Sequence, residues 1–470
     1  MQSCINNNRK ILFLLLNTGS IDSSGIFDYS NVSGNKLKAY ILNSIYIVRT
    51  KFNVYLNIEQ HADIDTDNGE ELLFYVKNSK QDNFLLINPL PVNLKPTDEN
   101  FIYLNNKMWY ILNSEGQENN LNCNEDYYLN ENDIIKLGKI KYIVQKIHLL
   151  PKYDNINNSA APPKPVFELE YNISDKNKNT KPVFNMTYLV EYYKNYININ
   201  EKNQDNQNNE EENITKCKFC DNKFINPETD NGENFLISIC KCKELYHFNC
   251  LKNYFKLLME QDKKDENSFV QSYIFKNFEC SKCKSSYPTK IQLKGFDETF
   301  SLVDFILPEN SNYLYLESID YKVNNSNYKS IHIVKLTKKN KTIRIGRVDD
   351  NDIVDRDISM SRHHAILFFD EENGKICIKN ISQKFGTLVL VQNPINILNK
   401  KIYLQIGRTY VEASLMDREE YEKLKIEMKN KIFENIDNND KLNDNNDKLN
   451  NNNQRLSDKS DKWKYFYKNV

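Results

Sequence analysis

Eight potential metal ligands stand in four close pairs between residues 217 and 283: Cys217-x-x-Cys220, Cys240-x-Cys242, His247-x-x-Cys250 and Cys280-x-x-Cys283. Thiolate and imidazole are the ligands that structural zinc prefers, four to an ion, so eight donors make two complete tetrahedra. A CxxC pair lets one turn set both sulfurs on the same ion. One such pair is a weak signal; four in order are a strong one, and scattered core cysteines would not produce that order. Two zinc ions are therefore the expected cofactors. No ligand position is left open for water, so the expected role of the metal is structural, not catalytic. Structural zinc contributes ~10–16 kcal/mol of apparent binding free energy near neutral pH, more than the whole stability of a small domain.

The other three of the ten cysteines, Cys4, Cys123 and Cys377, have no partner at a telling spacing. They read as free thiols of a reducing compartment. The apolar run "ILFLLL" at 11–16 is too short for a membrane span or a signal-peptide core, and it reads as a buried strand. Lys plus Arg is 63 and Asp plus Glu is 64, so global charge points to neither nucleic acid nor membrane. An intracellular protein, cytoplasmic or nuclear, is expected.

At 470 residues there is room for several domains. Two polar tracts of low complexity, 201–213 and 435–454, cannot bury enough apolar surface to fold, and a Pro-containing stretch at 155–166 favours an extended linker. Residues 10–150 alternate short runs such as "KAYILNSIYIVRT", "ELLFYVKN" and "KIKYIVQKI" with Asn, Asp and Gly clusters, the grammar of a β-sandwich or barrel. Residues 310–415 repeat it in "NYLYLESI", "KSIHIVKL" and "HHAILFF". The expected order is an N-terminal β-rich domain (10–150), a linker (151–214), the cysteine block (215–290), a second β domain (310–415), a helix (416–434) and a disordered tail (435–470). Tyr421, Leu424, Met428 and Ile432 fall at helical spacing. One internal echo stands out: 127–147 and 396–415 each place two strands around a Leu/Ile-Gly-Lys/Arg turn, either a true repeat or two unrelated hairpins.

The cysteine series, with histidine fifth, resembles the RING-CH class of ubiquitin ligases and also the PHD finger, a reader of histone tails. Both are cross-braced α+β modules. The resemblance implies Cys217, Cys220, His247 and Cys250 at one zinc and Cys240, Cys242, Cys280 and Cys283 at the other. The single residue between Cys240 and Cys242, "CLKNYF" after the sixth ligand and "CSKCKSSYP" at the close favour RING-CH. The short spacer before His247 and the aromatic Phe278 are nearer to PHD. By the RING resemblance, Phe219, Tyr254 and Lys284 would contact a ubiquitin-conjugating enzyme. Ser281 stands where many active RING domains carry proline, and Lys284 where many carry arginine, whose planar fork lysine lacks.

"TIRIGRVDDNDIVDRDISMSRHHAILFF" (342–369) with "IKNISQKFGTLVLV" (378–391) resembles the FHA (forkhead-associated) domain, a β-sandwich that binds phosphothreonine peptides. A phosphothreonine carries about −1.5 to −2 charges and three strong acceptors, which suit a guanidinium fork and a short hydroxyl donor. The resemblance implies that Arg347 and Ser361 grip the phosphate and that Arg362 contacts the peptide. Gly346, His364, Gly386 and Thr387 would brace the loops. Phe385 replaces the family's asparagine, which bonds the ligand backbone, and so leaves peptide contacts to Lys384 and main-chain groups. "NENDIIKLGKIKYIV" makes the N-terminal region a candidate divergent FHA-like domain, without a Gly-Arg strand end or Ser-Arg-x-His.

The whole reads as a multidomain, mainly β adaptor with no catalytic residue of its own. Its expected partners are phosphothreonine-containing proteins and, on the ligase reading, a ubiquitin-conjugating enzyme. The alternatives are a phosphoprotein scaffold whose zinc is only structural, and a chromatin reader.

Overall fold

The computed structural model describes residues 10–19, 28–29, 34–51, 53–57, 70–79, 84–88, 107–112, 127–150, 216–221, 236–240, 242, 244–261, 269–292, 299–308, 310–319, 321–323, 326–336, 342–397 and 401–427. The two polar tracts, the proline-containing stretch, the tail, Cys4, Cys123, Met428 and Ile432 lie outside these residues.

Period-two alternation builds the N-terminal half into β1 (Lys10–Thr18), β2 (Asn35–Ile41), β3 (Ile45–Arg49), β4 (Val54–Asn57), β5 (Glu71–Asn78), β6 (Phe84–Ile87) and β7 (Met108–Leu112). Then follow β8 (Tyr127–Tyr128), β9 (Ile134–Leu137) and β10 (Ile140–His148). "ILFLLL" is the body of β1, where Leu12, Leu14 and Leu16 face the core. The cysteine block contributes β11 (Leu236–Ile237), β12 (Tyr246–His247), α1 (Phe248–Leu258), β13 (Met259–Gln261), β14 (Val270–Phe275), β15 (Lys290–Gln292) and β16 (Thr299–Ser301). The C-terminal half supplies β17 (Asn312–Ile319), β18 (Tyr321–Val323), β19 (Ser326–Leu336), β20 (Thr342–Gly346), β21 (Ile353–Val354), β22 (Ala365–Asp370), β23 (Lys375–Asn380) and β24 (Thr387–Leu390). It closes with β25 (Ile395–Ile397), β26 (Ile402–Ile406) and β27 (Thr409–Asp417), after which 418–427 form a helix, α2. The fold is mainly β, as the sequence implies.

One long sheet runs β13-β14-β19-β17-β10-β9-β24-β7-β26-β27-β1-β2, with β18 attached to β19. Two five-stranded sheets, β21-β20-β22-β23-β8 and β25-β6-β5-β3-β4, complete two sandwiches against it. The long sheet reads alike outward from its central β24–β7 pair: first an antiparallel hairpin, then two more antiparallel strands. Each sandwich has its own core. Leu14, Ile47, Phe74, Phe84, Leu404 and Val411 belong to one; Leu137, Tyr142, Leu314, Ile345, Leu367 and Ile378 belong to the other.

These pairings cross the boundary drawn from sequence. The hairpin β9–β10 of the N-terminal half pairs with β24 and β17 of the C-terminal half. The hairpin β26–β27 pairs with β7 and β1 of the N-terminal half. The edge strands follow, β8 on β23 and β25 on β6. These are the two hairpins that echo each other in sequence, and they occupy corresponding places in the two sandwiches. Gly138 and Gly407, at positive φ of 64° and 55°, make their turns.

The cysteine block is no free-standing bead. Its hairpin β13–β14 extends the long sheet through β14–β19 pairing from Val270↔Val334 to Phe275↔Lys329. Leu251 and Phe255 of α1 share a core with Phe278, Tyr313, Tyr315, Ile331 and Ile333. At the far end, Tyr421 of α2 is buried against Tyr40 of β2, ring centroids 5.2 Å apart.

Candidate anion site and metal centres

Two donor sets form in the cysteine block: Cys217, Cys220, His247 and Cys250, and Cys240, Cys242, Cys280 and Cys283. In each, the ligand atoms lie within 4.8 Å of one another. These are the cross-braced sets that the resemblance implies. The first gathers a turn at 217–220, the end of β12 and the first turn of α1. His247 points Nδ1 at Cys220 Sγ (3.3 Å) and Cys250 Sγ (3.9 Å), and its backbone N–H donates to Cys217 Sγ (3.3 Å). The imidazole is therefore spent on the cluster, and α1 starts with no side-chain cap. The second set closes on a turn in which Lys284 N–H donates to Cys280 O (2.9 Å), with Lys284 at φ 58°.

The donor chemistry fits a thiophilic divalent ion. Burial raises the Cys240 and Cys250 thiols, Cys250 to about 12, so an ion has to displace protons there. Elsewhere burial is outweighed. Backbone N–H groups of His247, Phe219 and Cys220 lower the Cys217 thiol, and the Ser285 hydroxyl and N–H lower Cys283 to about 6. Each set can hold one metal ion. Outside the sets, Phe219 is 42% exposed and leans on Tyr246 and Tyr254, at 4.9 and 4.7 Å between centroids. Lys284 Nζ pairs with the buried Glu279 at 3.2 Å, and its carbonyl accepts from Asn327 of β19.

The loops at one end of the C-terminal sandwich bring Arg347, Ser361, Arg362 and Lys384 together. Strand β20 ends at Gly346, where an added Cβ would come within 2.1 Å of Arg362 O; the glycine permits close approach of the Arg362 loop backbone and its φ is not positive. Arg347 N–H then donates to Ser361 O (3.1 Å). Ser361 Oγ lies 2.7 Å from Ser382 Oγ, which in turn accepts the Phe385 N–H (3.1 Å). Beneath them His364 accepts the Ser361 N–H at Nδ1 (3.0 Å) and donates from Nε2 to Gly386 O (2.8 Å). Burial pushes its imidazole down to about 4, against the pull of that Gly386 carbonyl, so the ring is neutral. Gly386 turns at φ 65°, and Thr387 donates to Asn380 Oδ1 (3.0 Å).

Above this braced floor the guanidinium groups of Arg347 and Arg362 are exposed and form no ion pair among the described residues, whereas Arg49 and Arg356 are each paired. Lys384 is held by Asp28 (3.4 Å). Two members were not singled out from sequence. Ser382 precedes "QKFGT" and could have been suspected from its place in that loop. Asn351, inside "NDI", is buried and donates to Val348 O and Arg362 O (2.7 and 2.9 Å). Nothing local in the sequence marks Asp28.

Residues 343–409 match the family model described as FHA domain. No curated protein and no solved structure matches the chain. The matched stretch holds the anion-site loops and runs on through β26. Such domains bind phosphothreonine-containing proteins, and the match supports phosphoprotein binding here. Among the described residues no helix is long and apolar enough to cross a membrane.

Proposed function

We propose that this chain is a phosphothreonine-dependent adaptor that binds phosphorylated proteins at the loops 346–386 and carries two zinc ions. The observation that supports it is the pair of exposed arginines, Arg347 and Arg362, whose guanidinium groups have no ion-pair partner among the described residues, flanking Ser361 on a floor fixed by His364. Charge-assisted bonds to a phosphate are worth about 1.5–3 kcal/mol each, and the backbone that carries these donors is pinned by the Arg347 N–H to Ser361 O and Asn351 to Arg362 O hydrogen bonds. Binding of the full chain to a phosphothreonine-peptide library tests the reading. Arg347→Ala should abolish binding that unphosphorylated peptides never show; retained binding would sink it.

For the zinc block we propose a platform for a ubiquitin-conjugating enzyme, centred on Phe219 and Tyr254. A ligase of this kind supplies no nucleophile or base; it raises the effective concentration of two reactants. The exposed Phe219 ring beside Tyr254 favours this reading. Autoubiquitination with a panel of conjugating enzymes should occur with wild type and fail with Phe219→Ala, both retaining two metal ions. If neither forms chains, the scaffold reading stands in its place. That second reading is favoured by the β14–β19 pairing, which makes the metal block a structural extension of the sandwich.

A further inference from the structure

The loop in which Phe385 replaces asparagine is covered by a piece of the other sandwich. Tyr29, between β1 and β2, donates its backbone N–H to Lys384 O at 2.8 Å. Its ring lies over Gly386, so that a Cβ there would come within 2.8 Å of it. The phenol hydroxyl donates to Gln405 Oε1 of β26, and the ring packs 6.1 Å from Tyr410 of β27. Tyr29 is thus anchored by the exchanged hairpin and needs no ligand to hold it. Its neighbour Asp28 is carried to the lip, where its carboxylate meets the Lys384 ammonium at 3.4 Å.

We infer that Asp28 and Tyr29 form a wall of the phosphopeptide site, and that Asp28 sets its preference against acidic residues on the far side of the phosphothreonine from Arg347. The inference rests on the phosphopeptide reading above. Tyr29 takes the Lys384 carbonyl, a main-chain group of the loop that would otherwise be open to a ligand. Asp28 neutralises the Lys384 ammonium beside it, while Arg347 and Arg362 keep their charge for the phosphate. The Asp28 and Lys384 side chains are 36% and 57% exposed. An ion pair that open is worth no more than about 1 kcal/mol, so it biases the site without closing it. A peptide carboxylate arriving at Lys384 meets a competitor already in place and a like charge beside it. A peptide lysine or arginine meets Asp28.

The test measures affinities of the full chain for phosphothreonine peptides that differ only in Asp or Lys at each of the three positions after the phosphothreonine. Wild type should favour Lys over Asp at one of these positions, by up to about five-fold, and the preference should shrink at high salt. Asp28→Lys should reverse it, and Asp28→Asn should flatten it. Both substitutions are at an exposed side chain, and matched melting temperatures would show that the wall still forms. If wild type and both variants rank the peptides identically, the inference fails and the phosphopeptide reading survives. If folded wild type binds no phosphothreonine peptide, while its melting temperature is normal, both fall together.

Discussion

Burial lowers the His364 imidazole to about 4, from an ordinary value of 6.5, even though the Gly386 carbonyl pulls the other way. Between those values the unfolded chain binds a proton that the folded ring refuses. Stability from this group is therefore complete above about pH 6.5 and lost as pH falls towards 4, an effect of about 3 kcal/mol. Asp133 and Asp355, each raised to about 6 by burial, act with the opposite sign: their contribution is present below about 3.8 and gone above 6. Global melts would mix the two, so the check is an NMR titration of the His364 ring. Its midpoint should lie well below 6.5, with Nε2 carrying the proton. Gly346 makes a different prediction. Its missing Cβ leaves room for the backbone carbonyl of Arg362 at what would be 2.1 Å, and that carbonyl is held in place by the Asn351 side-chain amide at 2.9 Å. Gly346→Ala should cost about 1–3 kcal/mol in a denaturant melt and should weaken phosphopeptide binding by moving Arg362.

The elements divide between those that sequence shows and those it hides, and the metal block contains both. Its ligand spacing is local: a CxxC turn, a His-x-x-Cys at a helix start. The eight donors and α1 are therefore legible from 217–283. Hidden was the hairpin β13–β14, whose partner β19 lies some sixty residues on. A strand's alternation records which face is buried and says nothing of which strand lies beside it. The same limit hid Tyr29, because its reason for being where it is lies in Gln405 and Tyr410. The β14–β19 ladder has a consequence for metal removal. Phe255, Phe278 and Tyr287, placed by the metal turns, share a core with Tyr313, Tyr315, Ile331 and Ile333 of the sandwich. Chelation should thus do more than loosen a finger. Stripping both ions from the full chain should release thiols to a colorimetric reagent and lower the melting temperature of the sandwich, read from amide signals of β17 and β19. An unchanged melt with all seven cysteine ligands reactive would mean that the block and the sandwich are energetically independent.

Over the whole molecule, two sandwiches each borrow their closing hairpin from the other half of the chain. The echo between 127–147 and 396–415 is legible because equivalent places demand similar residues, but the exchange is not, because either hairpin satisfies the same pattern. The connection from β24 to β25 is only residues 391–394, and β24 lies beside β7, so the chain leaving β24 passes directly into the N-terminal sandwich. The exchange should govern what folds alone. Removing β9–β10 from the C-terminal sandwich uncovers the sites of Leu137, Ile140, Tyr142 and Val144, all buried in its core. At roughly 1.5–3 kcal/mol for each side chain, the loss is on the order of 10 kcal/mol, comparable with the full stability of a domain. A fragment of residues 310–415 should accordingly be unfolded by circular dichroism and blind to phosphothreonine, despite carrying Arg347, Ser361 and Arg362. Residues 1–150 should fail in the same way, lacking β26–β27. Fragments 1–200 and 214–470 produced together should elute as one complex and regain phosphopeptide binding, because each brings the hairpin the other lacks. If 310–415 folds and binds by itself, its own hairpin β26–β27 has closed the sandwich, and the exchange is not how this chain is built.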